Sequence, residues 1–588
     1  MIIDFLQENP LFKGIDQKEL KLFANRIGKR TIAKGEFLVY QGDIDKYIYI
    51  IVHGKLLAFK KDEKKEKVFL GELLRHDIIG ELPMLADLNW HISLYALKET
   101  EVLVFSKDTL IALFQKYPLV ISNVIDSMSE KFEQLTTKSF KKPSVNSIAI
   151  IQTEPSHNFD RFIHLYQTVL KKEGTVHLLT SEEINRQLAS TEEKNIRQLI
   201  TQLETTNDQI ILTLNLADAK IIKTMMKLVD KILVVIDKDF SSLLFQSLKE
   251  IFAEHISLFS HFIELIFLHD KKIFSIQNWL SAFPNAIFHH IHLNRITDIE
   301  RLVRISIEKS INLVLSGGGA RAIAHIGILR ALKEAHIPVD RIGGSGLGAI
   351  IAALFAINYS PDQIKRTLKH IFAHRGNFLD IHFPYISFIK AKKIRKILSA
   401  LFQNKNIEEL SIPFYCLSTS ITTKQKYIHT KGLITKALLA SLAIPGIMPP
   451  VYHEDHFLMT GSLSHNLPVD IMNTLFHSGI VVGVDVEHQN EPFLSEPFDD
   501  YLFGWKAIFK RIFTIRSQVQ CPNILHTLLN VSYVTSAVQK KPCDILLQPN
   551  LKEIRSSDFD LIDVIVEKGY NETMKQIPEL KDKIGMSS

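Results

Sequence analysis

The sequence predicts a multidomain chain in which an all-β module is followed by two α/β modules. Three observations carry that expectation. With 588 residues, the chain is too long for one compact core and, at roughly 150 residues per domain, divides into about three or four. Residues 1 to about 118 read as short alternating runs broken by turns, the pattern of a small β barrel or sandwich. From Ser147 the period changes, and apolar runs alternate with helix-like segments, the pattern of parallel sheets covered by helices. The expected boundaries are 1–140, 147–304 and 305–588.

Composition narrows the function classes. Hydrophobic residues at 46% and charged residues at 23% exclude a disordered or fibrous chain. Seventy Lys and Arg against 64 Asp and Glu leave a net charge of +6, too balanced for a dedicated nucleic-acid binder. Three cysteines, Cys416, Cys521 and Cys543, cannot make a disulfide framework and suit a reducing compartment. The stretch from Met1 to Pro10 lacks the basic and apolar regions of a secretory signal. The longest strongly apolar stretch, Ala349–Ile357, is far short of the roughly 20 residues that span a bilayer. The expectation is a cytoplasmic, soluble chain, at most peripheral to a membrane.

In the first module, Thr31–Tyr40 leads into Gln41–Gly54, and the charged run Lys60–Lys67 reads as a solvated hairpin tip. A helical stretch from Leu119 to about Lys138 and a linker from Ser139 to Asn146 follow. In the second module, strands are expected at Ile148–Ile151, Val176–Leu179, Ile210–Leu214, Ile232–Ile236 and Ile263–Leu268. Helices are expected at Asp160–Lys172, Glu192–Glu204 and Ala217–Leu228. Gln152-Thr-Glu-Pro155 stands where a Gly-rich phosphate loop would follow the first strand, so no dinucleotide is expected. His290 and His292 share one strand face, but no third ligand is evident, and no metal is expected.

The third region carries the chemistry. Ile311–Leu315 runs into Ser316-Gly-Gly-Gly-Ala-Arg-Ala322 and then a helical pattern, Ala324–Ala335. Three consecutive glycines let backbone N–H groups turn outward at a helix N-terminus, a nest for a phosphate or a developing oxyanion. A second strand, Ile337–Ile342, runs into Gly343-Gly-Ser-Gly-Leu-Gly348 and an apolar helix, Ala349–Ile357. Strand, tight small-residue turn and helix are the setting of a nucleophile elbow, G-x-S-x-G.

Together these segments resemble the patatin-like phospholipase family, and within it the neuropathy target esterase branch. Ser441–Pro450 and Thr460–Asp470 match further segments of that branch, and the resemblance covers most of 147–575. It implies an α/β hydrolase domain with a Gly-rich oxyanion loop (GGGxRG), a nucleophilic Ser in GTSxG and an Asp in a DGG turn. By this resemblance the oxyanion loop is Gly317, Gly318, Gly319 and Arg321, with Ala322 in place of the last glycine.

The departures fall on the reacting groups. An elbow needs small residues two before and two after the nucleophile. Centring on Ser345 puts Leu347 in the second of those places, whereas centring on 346 puts Gly344 and Gly348 in both. The nucleophile slot is then Gly346, and the DGG turn reads Thr460-Gly-Ser462. Glycine has no nucleophile, and a threonine hydroxyl is no general base near neutral pH. The remaining catalytic candidate is a displaced Ser345, served by a base such as His325 or His465.

Lys34-Gly-Glu36, Gln41-Gly-Asp43, Gly54 and Gly80-Glu81 follow the order and spacing of the cyclic-nucleotide-binding family. That resemblance implies an N-terminal barrel in which Gly80 and Glu81 meet the ribose and an Arg about ten residues on pairs with the cyclic phosphate. Trp90 stands in the Arg slot, with His91 a weak substitute beside it, and no arginine occurs between Arg75 and Arg161. A buried phosphodiester needs such a charge-assisted partner, so cyclic nucleotide is not expected to bind.

Two segments suit an anionic lipid surface: the basic amphipathic Ile389–Phe402, and Tyr501–Phe513, which interleaves aromatics with cations. The whole then reads as a cyclic-nucleotide-binding-like barrel, a Rossmann-like α/β module and a patatin-like hydrolase domain. The expected function is that of a catalytically inactive regulatory or lipid-binding homologue, with no cofactor and phospholipid as the partner class. The alternatives are an active serine (lyso)phospholipase using Ser345, or a cyclic-nucleotide-responsive regulator.

Overall fold

A computed structural model describes the chain apart from residues 62–66, 125–144, 238–240, 253–262, 374–379 and 488–542, parts of 270–285 and a few isolated positions. The linker at 139–144, the hairpin tip and the segment Tyr501–Phe513 therefore lie outside the described residues. The chain forms two compact units, residues 1–287 with 291–308, and residues 288–290 with 309–588.

The first unit does not begin with strands. Helices Ile2–Glu8 and Gln17–Ala24 precede the first of them. Leu6, Leu20 and Phe23 on these helices are buried with Ile48, Ile50, Leu103 and Phe105. Alternation alone missed this because a short amphipathic helix needs only a few apolar positions, and they look like an interrupted strand pattern. Two four-stranded antiparallel sheets follow. One orders Gly28–Ile32, Thr100–Ser106, Tyr47–His53 and Ile78–Ile79. The other orders Phe37–Val39, Ser93–Ala96, Leu56–Lys61 and Lys67–Leu73. Side chains alternate along Tyr47–His53, so Ile48 and Ile50 face the helices while Tyr49 and Ile51 pack with Leu56, Trp90 and Val102.

Behind them stands a six-stranded sheet whose order, numbered along the chain, is second, third, first, fourth, fifth, sixth. Its strands Ser147–Gln152, Val176–Leu179, Gln209–Asn215, Lys231–Ile236 and Ile263–His269 pair in parallel. Helices His157–Leu170, Glu193–Thr206 and Ala219–Leu228 lie in the intervening sequence. The Rossmann order would exchange the second and third strands.

Charged groups join the antiparallel sheets to this parallel one. Asp230 is buried, and its carboxylate meets Lys55 Nζ at 3.3 Å and Lys98 Nζ at 3.0 Å. The backbone N–H groups of Asn146 and Ser147 also donate to it, at 2.9 and 3.0 Å. Burial pushes the Asp230 carboxyl up, but the two lysines and the two N–H groups outweigh it and hold it far below the usual carboxylate range. Lys98 also reaches Glu204 at 2.5 Å. Lys34 donates to the carbonyls of Val229 and Met226 at 2.9 and 3.3 Å. Burial pushes its ammonium down to about 7, against the pull of Asp230.

The second unit is an eight-stranded sheet. Its order is Val451–His453, His456–Thr460, Phe414–Ser420, Arg341–Ser345, Ile311–Leu315, Ile480–Val484 and Ile545–Leu547, with Gln425–His429 on the side of Phe414–Ser420. Pairing is parallel from Phe414–Ser420 through Ile545–Leu547 and antiparallel beyond. One strand differs from expectation: Arg341–Ser345 includes the small residues that were read as turn, and Ile337–Asp340 lies outside it. Pro338 cannot donate to a ladder. Gly343 and Gly344 pair with Val314 and Leu315 on one side and Tyr415 and Cys416 on the other. A side chain at Gly343 would strike the Tyr415 ring, whose Cε1 lies 2.2 Å from the Cβ position. The apolar helix likewise starts earlier than expected, at Gly346 rather than Ala349, and ends at Ala356.

Candidate functional site

The strand Ile311–Leu315 and the strand Arg341–Ser345 lie side by side in parallel, so the loop after each opens at the same edge of the sheet. Ser316 and Gly317 follow the first strand, and Gly318 and Gly319 enter a short 3₁₀ turn leading to helix Ala324–Glu334. Gly346 follows the second strand with φ of +58°, the left-handed conformation that side-chain-bearing residues rarely adopt.

Position 346 has space for a side chain. A Cβ there would meet only Gly317 Cα, at an ordinary 3.6 Å. Its flanking glycines have none: a Cβ at Gly344 would lie 2.7 Å from Leu315 O, and one at Gly348 2.3 Å from Ser316 O. The turn is therefore shaped around 346. Gly348→Ala should lower unfolding free energy by about 1–3 kcal/mol, because backbone oxygens must move to admit the methyl. That outweighs the ~1 kcal/mol a helix gains from Ala over Gly. Urea midpoints check it; an unchanged or raised midpoint contradicts the packing.

Ser345 points elsewhere. It is buried, its Oγ makes no hydrogen bond among the described residues, and a Cβ on Gly461 would fall 2.7 Å from that Oγ. Neither histidine candidate serves it. His325 Nε2 is 2.9 Å from the backbone carbonyl of Ser316, and burial pushes its pKa down to about 4. His465 Nε2 is 3.8 Å from the Asp470 carboxylate.

Thr460 ends strand His456–Thr460 beside the elbow and caps the short turn Gly461–Leu463. Its hydroxyl lies 3.4 Å from the N–H and from the Oγ of Ser462. From there a polar chain enters the loop: Ser462 Oγ donates to Asn466 Oδ1 at 3.0 Å, and that oxygen accepts the Gly317 N–H at 3.1 Å. Asn466 Nδ2 donates to Glu487 at 2.9 Å. The Ala320 N–H is also taken, by Ser556 O at 2.8 Å, and Arg321 Nε donates to Ile554 O at 2.7 Å. Among the described residues, the Gly318 N–H donates to nothing. The Gly319 N–H is likewise without an acceptor there, so an incoming oxygen finds open donors at 318 and 319 and an engaged one at 317.

Asn466 and Ser441 were not singled out from sequence. Ser441 Oγ accepts the Gly346 N–H at 3.0 Å, across a separation of 95 residues that no local pattern reveals. A buried Ser418–His429 pair, 2.7 Å apart on neighbouring strands, was also missed. Burial pushes His429 down to about 3, so it is neutral at physiological pH.

In the first unit Trp90 lies against Gly80, whose Cβ position would be 3.2 Å from the indole. The indole N–H donates to Asp45 O at 2.7 Å, and Trp90 is buried. Glu81 is buried at the start of helix Glu81–Leu85, and His91 is exposed. Arg75, the nearest arginine in sequence before Trp90, is engaged elsewhere, with Glu8 at 3.1 Å and the carbonyl of Val52 at 3.3 Å. His290 Nε2 lies 2.8 Å from the Glu408 carbonyl, and His292 Nδ1 lies 3.2 Å from Asp298. Among the described residues, no cluster of three or more His, Cys, Asp or Glu is placed to hold a metal.

The parallel sheet with a Gly-rich loop and an elbow at one edge defines a patatin-like phospholipase domain, and residues 313–473 match that family. Residues 29–117 match the cyclic nucleotide-binding domain family. The chain therefore carries a patatin-like phospholipase domain behind a cyclic nucleotide-binding domain. Among curated proteins it is 27% identical over 604 residues to patatin-like phospholipase domain-containing protein 7 of Rattus norvegicus, covering 92% of this chain and 44% of that one. It is 26% identical to patatin-like phospholipase domain-containing protein 6 of Homo sapiens, with the same coverage. It is also 26% identical to neuropathy target esterase sws of Drosophila melanogaster, covering 92% of this chain and 42% of that one. The chain spans less than half the length of these relatives.

Proposed function

We propose that this protein is a catalytically silent patatin-like protein that binds lipid or regulates a lipid-handling partner, acting in the cytoplasm or at a membrane surface. The observation that carries the reading is the elbow: its geometry centres on Gly346, which has no side chain, while the nearby Ser345 hydroxyl is buried without a base. Thr460 in the acid slot removes the proton acceptor as well. The open Gly318 N–H supports a retained docking point for a carbonyl or phosphate oxygen.

Incubation with a fluorophosphonate probe and a lysophospholipid tests this. Neither labelling nor turnover above a no-protein control is expected. Labelling that disappears in Ser345→Ala would establish the alternative, an active hydrolase using the displaced serine.

We also infer that the N-terminal module holds no cyclic nucleotide. The indole of Trp90 fills the corner beside Gly80, and position 90 itself carries no guanidinium to pair with a phosphate. Calorimetry with cyclic AMP and cyclic GMP at up to millimolar concentration should show no heat beyond dilution. Micromolar binding would make the module a sensor.

A further inference from the structure

Among the described residues, large exposed apolar side chains are mostly scattered singly, as is ordinary on a protein surface. One segment is different. Ile381, Phe383, Tyr385, Ile386 and Phe388 are exposed by 76, 82, 88, 62 and 40%, all within eight residues. A chain that leaves so much aromatic and aliphatic surface in one place has a use for it outside its own core.

The segment is held by its ends. Ile381 and Ile389 form an antiparallel bridge, Lys390 N–H donates to Asp380 O at 3.0 Å, and Phe388 and Ile389 donate to the carbonyls of Gly446 and Ile447 at 2.9 and 3.0 Å. Ile389 is buried in the core of this unit. The result is a finger with a fixed base and an apolar tip.

Its base continues into helix Lys392–Phe402, which buries Leu398 and Phe402. Asp380 accepts the N–H groups of Ala391 and Lys392 at 2.9 and 2.8 Å, starting the helix where the finger ends. Lys390, Lys392, Lys393, Arg395 and Lys396 are exposed along this junction. Apolar tip and cationic flank therefore occupy adjoining surface. A soluble partner would have to match both features; an anionic bilayer matches them by its construction, with phosphate above and hydrocarbon beneath.

We propose that Ile381, Phe383 and residues 385–388, with the helix Lys392–Phe402, form a membrane-docking element: Phe383, Tyr385 and Ile386 enter the headgroup–acyl boundary, while the cations rest on anionic lipid. The segment that supports the finger at Gly446 and Ile447 also supplies Ser441 to the elbow, so docking holds the candidate pocket's framework at the lipid surface. This rests on the reading of the protein as lipid-binding, but not on the silence of the elbow.

Co-sedimentation of the full chain with vesicles tests it. Wild type should pellet with phosphatidylcholine–phosphatidylserine vesicles more than with phosphatidylcholine alone, and less as salt rises. The triple change Phe383→Ala, Tyr385→Ala and Ile386→Ala should lower partition on the order of tenfold. Lys392→Ser with Lys396→Ser should weaken the preference for anionic vesicles by about tenfold. All these side chains are exposed, so an unchanged melting temperature confirms the variants are folded. Wild type that stays in solution, a triple variant that pellets equally, or partition indifferent to lipid charge and salt each overturns the proposal. Self-association that the triple variant abolishes would assign the finger to a second copy and overturn it too. Vesicle binding without fluorophosphonate labelling leaves both proposals standing, and labelling without vesicle binding refutes both.

Discussion

Gly346→Ser combined with Thr460→Asp should give the protein a fluorophosphonate-reactive serine and raise ester hydrolysis by about a hundredfold or more over wild type, the contribution expected of a positioned general base to a nucleophile. The elbow is ready for the change. A serine Cβ at 346 makes one ordinary contact, at 3.6 Å, and the backbone already holds φ at +58°. That conformation costs a non-glycine residue roughly 1–3 kcal/mol, so the melting temperature should fall while activity rises. Aspartate at 460 would inherit the neighbourhood of the Ser462 N–H, now 3.4 Å from the threonine hydroxyl, and burial there would push its pKa up toward a useful base. Either single change should stay close to background, because a nucleophile and its base act together. Hydrolysis of a p-nitrophenyl ester and in-gel labelling supply the readout. A folded double variant that remains silent would show that the pocket has lost more than its dyad, with Asn466 on the Gly317 N–H the first group to remove.

The largest loss of stability is expected in the first unit, whose sheets do not include the elbow. Asp230→Ala should cost about 3 kcal/mol, since removing a carboxylate shared by two buried ammonium groups leaves one of them to Glu204 and the other to Glu72, at 3.7 Å. Those two groups are Lys55 and Lys98 at 3.3 and 3.0 Å, with Lys34, half-buried, close by. Chemical denaturation monitored at the antiparallel sheets and at the parallel sheet should show both weakened. Asp230→Ala with Lys55→Met should recover part of the loss, and a double variant no more stable than the single would refute the pairing.

The cluster also sets a pH dependence with two windows. The depressed Asp230 carboxyl contributes stability above its unfolded pKa, and that contribution is lost as pH falls through the acid range. Lys34 acts at the other end. Its folded pKa of about 7 lies below the unfolded value, so the unfolded chain binds more protons between the two, and stability rises with pH from about 7 upward. Lys34→Met should flatten that alkaline rise in a series of melting curves.

How far the sequence reaches can be judged from these groups. The parallel strands were legible because fully apolar runs separated by helical periods have few other solutions, and Ser147–Gln152 and Gln209–Asn215 fall within two residues of expectation. The elbow was legible because its glycines fall in one short run of sequence, although the oxygens that demand them, of Leu315 and Ser316, belong to the neighbouring strand and its loop. The lysine–aspartate cluster was not, because Lys34, Lys55, Lys98 and Asp230 are brought together only by the packing of one sheet system on another. The apolar finger was missed for a different reason. Ile381, Phe383 and Phe388 have the composition of a buried strand, and only the fold shows that none of the described residues covers them.

The indole beside Gly80 has a thermodynamic consequence for the N-terminal module. A ligand entering that corner must first select the rare molecules in which Trp90 has swung out, leaving its hydrogen bond to Asp45 and its apolar contacts. Exposing a buried aromatic of this size costs about 3 kcal/mol, which makes the vacated state roughly a hundredfold rarer and lowers apparent affinity by the same factor. A module whose own side chain occupies its effector corner behaves as one that is always liganded. On the reading proposed above, it keeps a single populated state and transmits a constant rather than a signal.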